Sequence, residues 1–317
     1  MYDIPLALED FLNYIETIKG KSENTVKEYR YDLITFFRYL KIRYRLVKKD
    51  VSFDDIDIYD IDINTIKRIT IQDLYGFISF VDKERNNSNY AKARKVASLR
   101  SFFKYLHSKV KLISENPAID LESPKTDSRH PVYLTLEEAR KLLDVVDGQF
   151  KERDYAIITL FLNCGLRLSE LVSINIDKIR GDTLTVVGKG NKERTIYLND
   201  ACIEAIDEYI KIRPTKGIND DKALFISKKK NRLSPKAVQY LVKKYVKKAG
   251  LDPNKYSPHK LRHTAATLMY QHGNVDIRAL QQILGHENVA TTQIYTHLND
   301  DRLRQAVKSN PLSKNKS

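Results

Sequence analysis

Helical periodicity stops between residues 116 and 133. Asn116-Pro117-Ala118 is followed by Glu122-Ser123-Pro124-Lys125-Thr126-Asp127-Ser128-Arg129-His130-Pro131, which is polar and punctuated by proline. Proline removes a backbone donor and biases the residue before it towards extended conformations. Such a stretch reads as a linker. It divides the 317 residues into segments 1–115 and 134–317, each of domain size. At 42% hydrophobic residues the chain can build two separate cores.

The first segment carries four helical patterns. Leu6, Leu8, Phe11, Leu12, Tyr14, Ile15 and Ile18 recur at helical spacing, and Gly20 stops them. Ser22-Glu23-Asn24-Thr25 opens a second helix through Tyr29, Leu33, Phe36, Phe37 and Leu40. Thr70 caps a third, through Leu74, Phe77, Ile78 and Val81. The fourth, about residues 90–108, turns Phe102, Phe103 and Tyr105 inward and carries Lys92, Arg94, Lys95, Arg100 and Lys104. Residues 50–64 differ: six aspartates alternate with Ile and Tyr, as either a strand or an irregular acidic insertion. Their negative charge turns them away from any polyanion.

In the second segment Thr135-Leu136-Glu137-Glu138 has capping-box form and opens a helix to about Val146. A strongly apolar helix spans Asp154 to Asn163. Gly165 then gives a turn that delivers Arg167 to the start of the next helix, three residues before Glu170. That pair is either a surface ion pair or one wall of a buried anion site. Thr183–Val187 and Thr195–Leu198 alternate like strands, and the hairpin between them carries Lys189, Lys192 and Arg194. It is neither a dinucleotide fingerprint nor a Walker loop. Leu224-Phe225-Ile226 reads as a short strand. Ser234-Pro235 opens a helix lined by Lys243, Lys244, Lys247 and Lys248, a candidate for the major groove, which admits a helix.

Pro258, with Ser257 before it as a cap, opens the last patterned region, read as two helices pivoting at Gly273. His259, Arg262 and His263 lie at i, i+3 and i+4 and share a face. A proton carrier beside a guanidinium fork suits phosphoryl chemistry. A zinc reading of the two histidines lacks an HExxH pattern and a third ligand, and it places Arg262 between them.

Lys and Arg number 55 against 41 acids, a net charge of +14. That excess suits a polyanionic partner, nucleic acid above all, or simply a solvated basic surface. Cys164 and Cys202 are too few for a disulfide framework or a thiolate metal site. No apolar run approaches ~18 residues, so no membrane span is expected. The N-terminus lacks signal-peptide form. A cytoplasmic protein is the resulting expectation, to which the family resemblance given below adds association with the nucleoid.

Several motifs together carry a family resemblance. His259-x-x-Arg262, Leu284-Gly285-His286 and Tyr295 resemble the C-terminal half of the tyrosine recombinase, or phage integrase, catalytic domain. Cys164-Gly165-Leu166-Arg167-Leu168-Ser169-Glu170-Leu171 resembles its first arginine box. Val187-Gly188-Lys189-Gly190-Asn191-Lys192-Glu193-Arg194 resembles its lysine hairpin. Thr25–Leu33 is similar to its core-binding domain. The resemblance is close over residues 134–297 and looser before them. It implies a mainly α fold with a small β-sheet: an N-terminal four-helix core-binding domain plus a mixed α/β catalytic domain with a C-terminal tail.

By the same resemblance, Tyr295 is the nucleophile. Arg167 and Arg262 hold the scissile phosphate, and His259 is a general base or oxygen ligand. His286 orients the phosphate, Lys189 protonates the leaving 5′ oxygen, and Glu170 supports them. Thr25, Arg30, Lys95, Arg100, Lys192, Arg194, Lys243 and Lys244 become candidate DNA contacts. The reaction needs no cofactor, metal or ATP. The implied partner is double-stranded DNA with inverted-repeat half-sites, held by a homo- or hetero-tetramer on two sites. The resemblance, Xer-like in length, also allows for a partner recombinase or a DNA-translocase activator. Dimer resolution and mobile-element integration both fit. The same six residues fit a type IB topoisomerase. A non-catalytic DNA-binding protein would have no need of the intact set.

Overall fold

The structure, a computed structural model, describes residues 4–48, 50–125, 132–188, 193–273 and 275–285, with residue 292. The chain divides into two compact units, Met1–Ser128 and Arg129–Ser317.

The first unit is helical: α1 (Leu6–Asn13, continuing as a π-turn over Tyr14–Ile18), α2 (Glu23–Arg43), the short α3 (Ile63–Lys67), α4 (Ile71–Lys83) and α5 (Asn89–Ser108). The caps act as the sequence suggests. Ser22 accepts from the Thr25 N–H, and Thr70 forms a capping box with Asp73. Gly20 takes a left-handed φ of +57° after the first helix. The core is aromatic, with Phe11, Phe36, Phe37, Phe77, Phe102 and Phe103 wholly buried. Phe36 meets Phe77 edge-on at 5.2 Å between centroids, and Phe11 meets Phe102 at 5.4 Å, the arrangement that ring quadrupoles favour.

Residues 50–64 hold no strand. A single 3₁₀ turn covers Phe53–Asp55, while Ile56, Ile58 and Ile61 are buried. Acidic side chains pin the segment to α2: Lys41 Nζ reaches Asp60 Oδ1 at 2.7 Å and the Asp57 carbonyl at 2.9 Å. Arg38 donates to the Ile56 carbonyl at 3.2 Å and pairs with Asp54 at 3.3 Å. The insertion is thus an electrostatically fastened apolar flap.

The start of the expected linker also packs inward. Ala118 and Leu121 are buried in the first unit's core, and Arg100 donates to the Leu121 carbonyl.

The second unit contains α6 (Leu136–Asp144), α7 (Lys151–Cys164), α8 (Leu168–Ser173), β1 (Ile179–Arg180), β2 (Thr183–Val187), β3 (Glu193–Tyr197), α9 (Asp200–Ile212), α10 (Pro235–Lys248), α11 (Pro258–His272) and α12 (Ile277–Leu284). The three strands form an antiparallel sheet in the order β1-β2-β3, with Val186 opposite Arg194 and Leu184 opposite Ile196. The Leu224–Ile226 segment makes no strand. Two isolated bridges lie at its ends, Asn175 with Ala223 just before it and its last residue Ile226 with Arg232. All three residues are buried, so the apolar run reports core position rather than a ladder. α7 is central and mostly buried; its buried Arg153 is fixed by Asp154 and by the Ile226 carbonyl at 2.9 Å.

Candidate active site

The site forms where three chain turns meet. α7 ends on Gly165 at φ +59°, and α12 ends on Gly285 at φ +63°. Both are left-handed caps, which glycine adopts without a Cβ penalty. Between them lies the N-terminus of α8, with Arg167 as its cap residue.

Helix C-termini leave carbonyls unpaired and attract cations, and here arginines take that place. Arg262, on α11 and only 4% exposed, donates from Nη1 to the Gly165 carbonyl at 2.6 Å and from Nη2 to the Leu284 carbonyl at 2.7 Å. Arg167 donates from Nη2 to the Gly285 carbonyl at 2.5 Å, and Arg194 from Nη1 to the Ile283 carbonyl. The last turn of α12 is therefore held by three guanidinium groups.

Glu170 is their common counter-ion and is fully buried. Its carboxylate accepts from the Arg167 N–H at 2.7 Å, Arg167 Nη1 at 2.6 Å and Arg194 Nη2 at 2.9 Å; Arg262 Nη1 lies 3.8 Å away. Burial pushes this carboxyl upward, but the hydrogen bonds and charge of Arg194 and the bonds from Arg167 outweigh it and hold the group below the usual carboxylate range. Glu170 stays ionised, and the pair with Arg167 is a buried anchor rather than a surface bridge.

His259 and His263 face one another on α11, with Nε2 atoms 3.0 Å apart and rings edge-to-face. His259 is exposed overall, yet desolvation of its ring, with the positive charges of Lys260 and Arg262, holds it below the ordinary histidine value. Ser257 makes no side-chain cap bond to this helix; Pro258 sets its start instead. Thr264 ties α11 to the chain before α6, accepting from the Leu134 N–H at 2.9 Å.

Thus Arg167, Glu170, His259 and Arg262 are brought to one region by α8 and α11. Lys189, Lys192, His286 and Tyr295 lie outside the described residues. Among the described residues no group of three His, Cys, Asp or Glu is placed to hold a metal.

Two expected DNA contacts point inward instead. Lys95 is 2% exposed, its Nζ 2.8 Å from Asp32 Oδ1. It shares the face of Leu99 and Phe102, so helical spacing alone carries it into the core. Arg194 is committed to Glu170 and α12, as above. Arg100 is exposed but bonded to the Leu121 carbonyl. Thr25 Oγ1 lies 2.9 Å from the cap hydroxyl of Ser22. Arg30 and Lys243 are exposed, as is Lys244, whose ammonium lies over the Tyr245 ring at 4.4 Å. Among the described residues no helix is long and apolar enough to cross a membrane.

Residues 132–302 match the model of the phage integrase family, and residues 8–61 match that of the phage integrase N-terminal SAM-like domain. The chain belongs to the phage integrase family and is a tyrosine site-specific recombinase. Within that family it is Xer-like. It is 64% identical over 309 residues to "Tyrosine recombinase XerC" of Caldanaerobacter subterraneus subsp. tengcongensis, covering 98% of this chain and 88% of that protein. It is 35% identical to "Tyrosine recombinase XerC" of Thermodesulfovibrio yellowstonii, covering 99% of each. The fold is that of a solved XerH site-specific recombinase bound to palindromic difH substrate: TM-score 0.71 and 23% identity, covering 95% of this chain and 84% of that one.

Proposed function

We propose that this recombinase cuts and rejoins double-stranded DNA at one site through a 3′-phosphotyrosyl intermediate formed by Tyr295. The convergence of Arg167 and Arg262 around buried Glu170, at the end of α12 and eleven residues before Tyr295 in sequence, carries the reading. The two guanidinium groups hold the non-bridging oxygens of the scissile phosphate and stabilise charge in the transition state. The Tyr295 oxygen bonds to phosphorus as the 5′ oxygen leaves. The phenol proton passes to His259, kept neutral by its surroundings. Lys189 donates the proton that the leaving oxygen needs, and His286 orients the phosphate. A 5′ hydroxyl from a second strand reverses the step, so bond energy is conserved without ATP.

Inverted half-sites and a four-protomer assembly follow from pairwise strand exchange; the relatives' name, "Tyrosine recombinase XerC", supports a Xer-type role, which we read as the resolution of chromosome or plasmid dimers. Such a protein works in the cytoplasm on the nucleoid. The test is covalent trapping in cells: tagged protein is purified under denaturing conditions and the attached DNA sequenced, with Tyr295→Phe as control. DNA at one short sequence, on the wild type only, is the expected result. DNA scattered across the genome would indicate topoisomerase activity, and equal recovery with both proteins would remove Tyr295 as nucleophile.

A further inference from the structure

Arg194 sits on β3 opposite Val186, five positions after Lys189 in sequence. Lys189 and Lys192 precede it in sequence, which suggests an outward phosphate contact. Its side chain does the reverse. The group is 16% exposed and packs beneath the end of α12. Nη2 and Nε donate to the two Glu170 oxygens at 2.9 and 3.3 Å, and Nη1 donates to the Ile283 carbonyl. Gly285 gives it room: a Cβ there would lie 2.9 Å from Arg194 Cδ and 3.0 Å from Nε.

One side chain thus joins three separate pieces of chain. Its backbone belongs to β3, and Lys189 falls in the sequence that joins β2 to β3. Its Glu170 partner also holds Arg167 and approaches Arg262. Its Ile283 partner lies in the last turn of α12, three residues before His286 in sequence. A planar fork that cannot lose its proton can hold all of these at once, whereas a lysine ammonium is a point donor on a flexible stem.

We propose that Arg194 is a positioning residue and not a DNA contact: it fixes β3, the strand that follows the lysine segment, to Glu170 and the end of α12, beside the two phosphate-binding arginines. This rests on the roles given above to Lys189, Arg167 and Arg262. Removing it would free the strand that follows Lys189 from the arginine pair, so protonation of the leaving oxygen would suffer most.

The experiment compares wild type with Arg194→Lys, Arg194→Ala and Lys189→Ala, each full-length, on a synthetic site nicked so that cleavage is irreversible. Affinity is measured across a salt series, and single-turnover covalent-complex formation at saturating DNA. Each rate is repeated on DNA whose 5′ bridging oxygen at the scissile bond is sulfur. A thiolate leaves without a proton, because thiols are far more acidic than alcohols.

For Arg194→Lys and Arg194→Ala we expect affinity within about twofold of wild type and an unchanged salt slope, because no phosphate contact is lost. Cleavage of ordinary DNA should fall about 10²-fold or more, the usual contribution of a positioned acid. The sulfur-bridged DNA should restore most of that loss, as for Lys189→Ala.

A phosphate contact would behave oppositely. Arg194→Ala would lower the salt slope by about one, Arg194→Lys would keep most of the affinity, and cleavage at saturation would be intact. That result overturns the proposal. So does an equal loss on both DNAs by Arg194→Lys while Lys189→Ala is rescued, which would mark a general structural role. If Lys189→Ala itself is not rescued, the lysine's role as acid fails. Arg194 is then judged by whether its variants lose single-turnover rate without affinity. Should Arg194→Ala not fold, Arg194→Met combined with Glu170→Gln removes both buried charges together and takes its place in the series.

Discussion

Gly165 and Leu284 touch where two helices end: a Cβ built on Gly165 would lie 2.9 Å from Leu284 Cδ2. Gly165 also stands at φ +59°, where a side chain is strained, and its carbonyl receives Arg262. Gly165→Ala should therefore destabilise the second unit by about 1–2 kcal/mol from backbone strain alone. For a unit of this size that is a fall of roughly 2–8 °C in the melting midpoint. Calorimetry of the two proteins at one concentration settles it, and an unshifted midpoint would sink the argument.

Glu170 should dominate the stability of the site. Glu170→Ala leaves Arg194, Arg167 and Arg262 around an empty acceptor, and breaking a buried pair in this way costs about 3–5 kcal/mol. The pH dependence has a definite sign. The folded carboxyl lies below its ordinary value, so its stabilisation is complete above that value and is lost as pH falls through the folded one. Denaturant midpoints of wild type and Glu170→Gln should thus differ most at neutral pH and converge in acid. A gap that widens in acid would contradict the assignment.

His259 keeps its neutral form to lower pH than an ordinary histidine, because its ring is desolvated and Lys260 and Arg262 stand near it; His263 is its other immediate neighbour. A base of this kind places the acid limb of cleavage below 6.5, the ordinary histidine value. Single-turnover covalent-complex formation followed over about pH 5–8 should show that limb in the wild type, and His259→Gln should lack it. A limb at or above the ordinary value would exclude His259 as the controlling group.

In the first unit, stability and DNA binding should separate by residue. Lys95→Met strips buried Asp32 of a 2.8 Å partner, so it should lower the melting midpoint and leave the salt dependence of DNA binding unchanged. Arg30→Ala, at an exposed position, should leave the midpoint alone and flatten the salt slope by about one. The two measurements are independent, and exchanged outcomes would reverse the assignment.

Helix boundaries in this chain are written locally. Ser22, Thr70, Thr135, Gly165 and Gly285 sit where their side chains, or their lack of one, satisfy a helix end, so short-range chemistry reveals them. The turn at Gly165 and the hairpin strands are legible for the same reason, whereas the role of the arginine box rests on the family resemblance. The facing of individual cations was harder, although the signal was there. Arg194 is two residues from buried Ile196, hence on the same side of β3; Lys95 is four residues from buried Leu99. Positive charge led the reading outward, whereas buried Asp32 and Glu170, distant in sequence, made the inward orientation affordable. The segment at 224–226 was misread because a buried apolar run looks alike whether or not it pairs in a ladder.

The oxygens of residues 165, 283, 284 and 285 that orient the arginines all belong to the main chain. A peptide oxygen survives any substitution of the residue bearing it. The half of each contact that genetic change can reach is therefore the arginine, while the acceptor is inherited with the path of the backbone. Descendants of this sequence could replace Ile283 or Leu284 and still present the same oxygens, provided that two glycines keep the turns. The geometry of the centre is in that sense recorded in the course of the chain as much as in its letters.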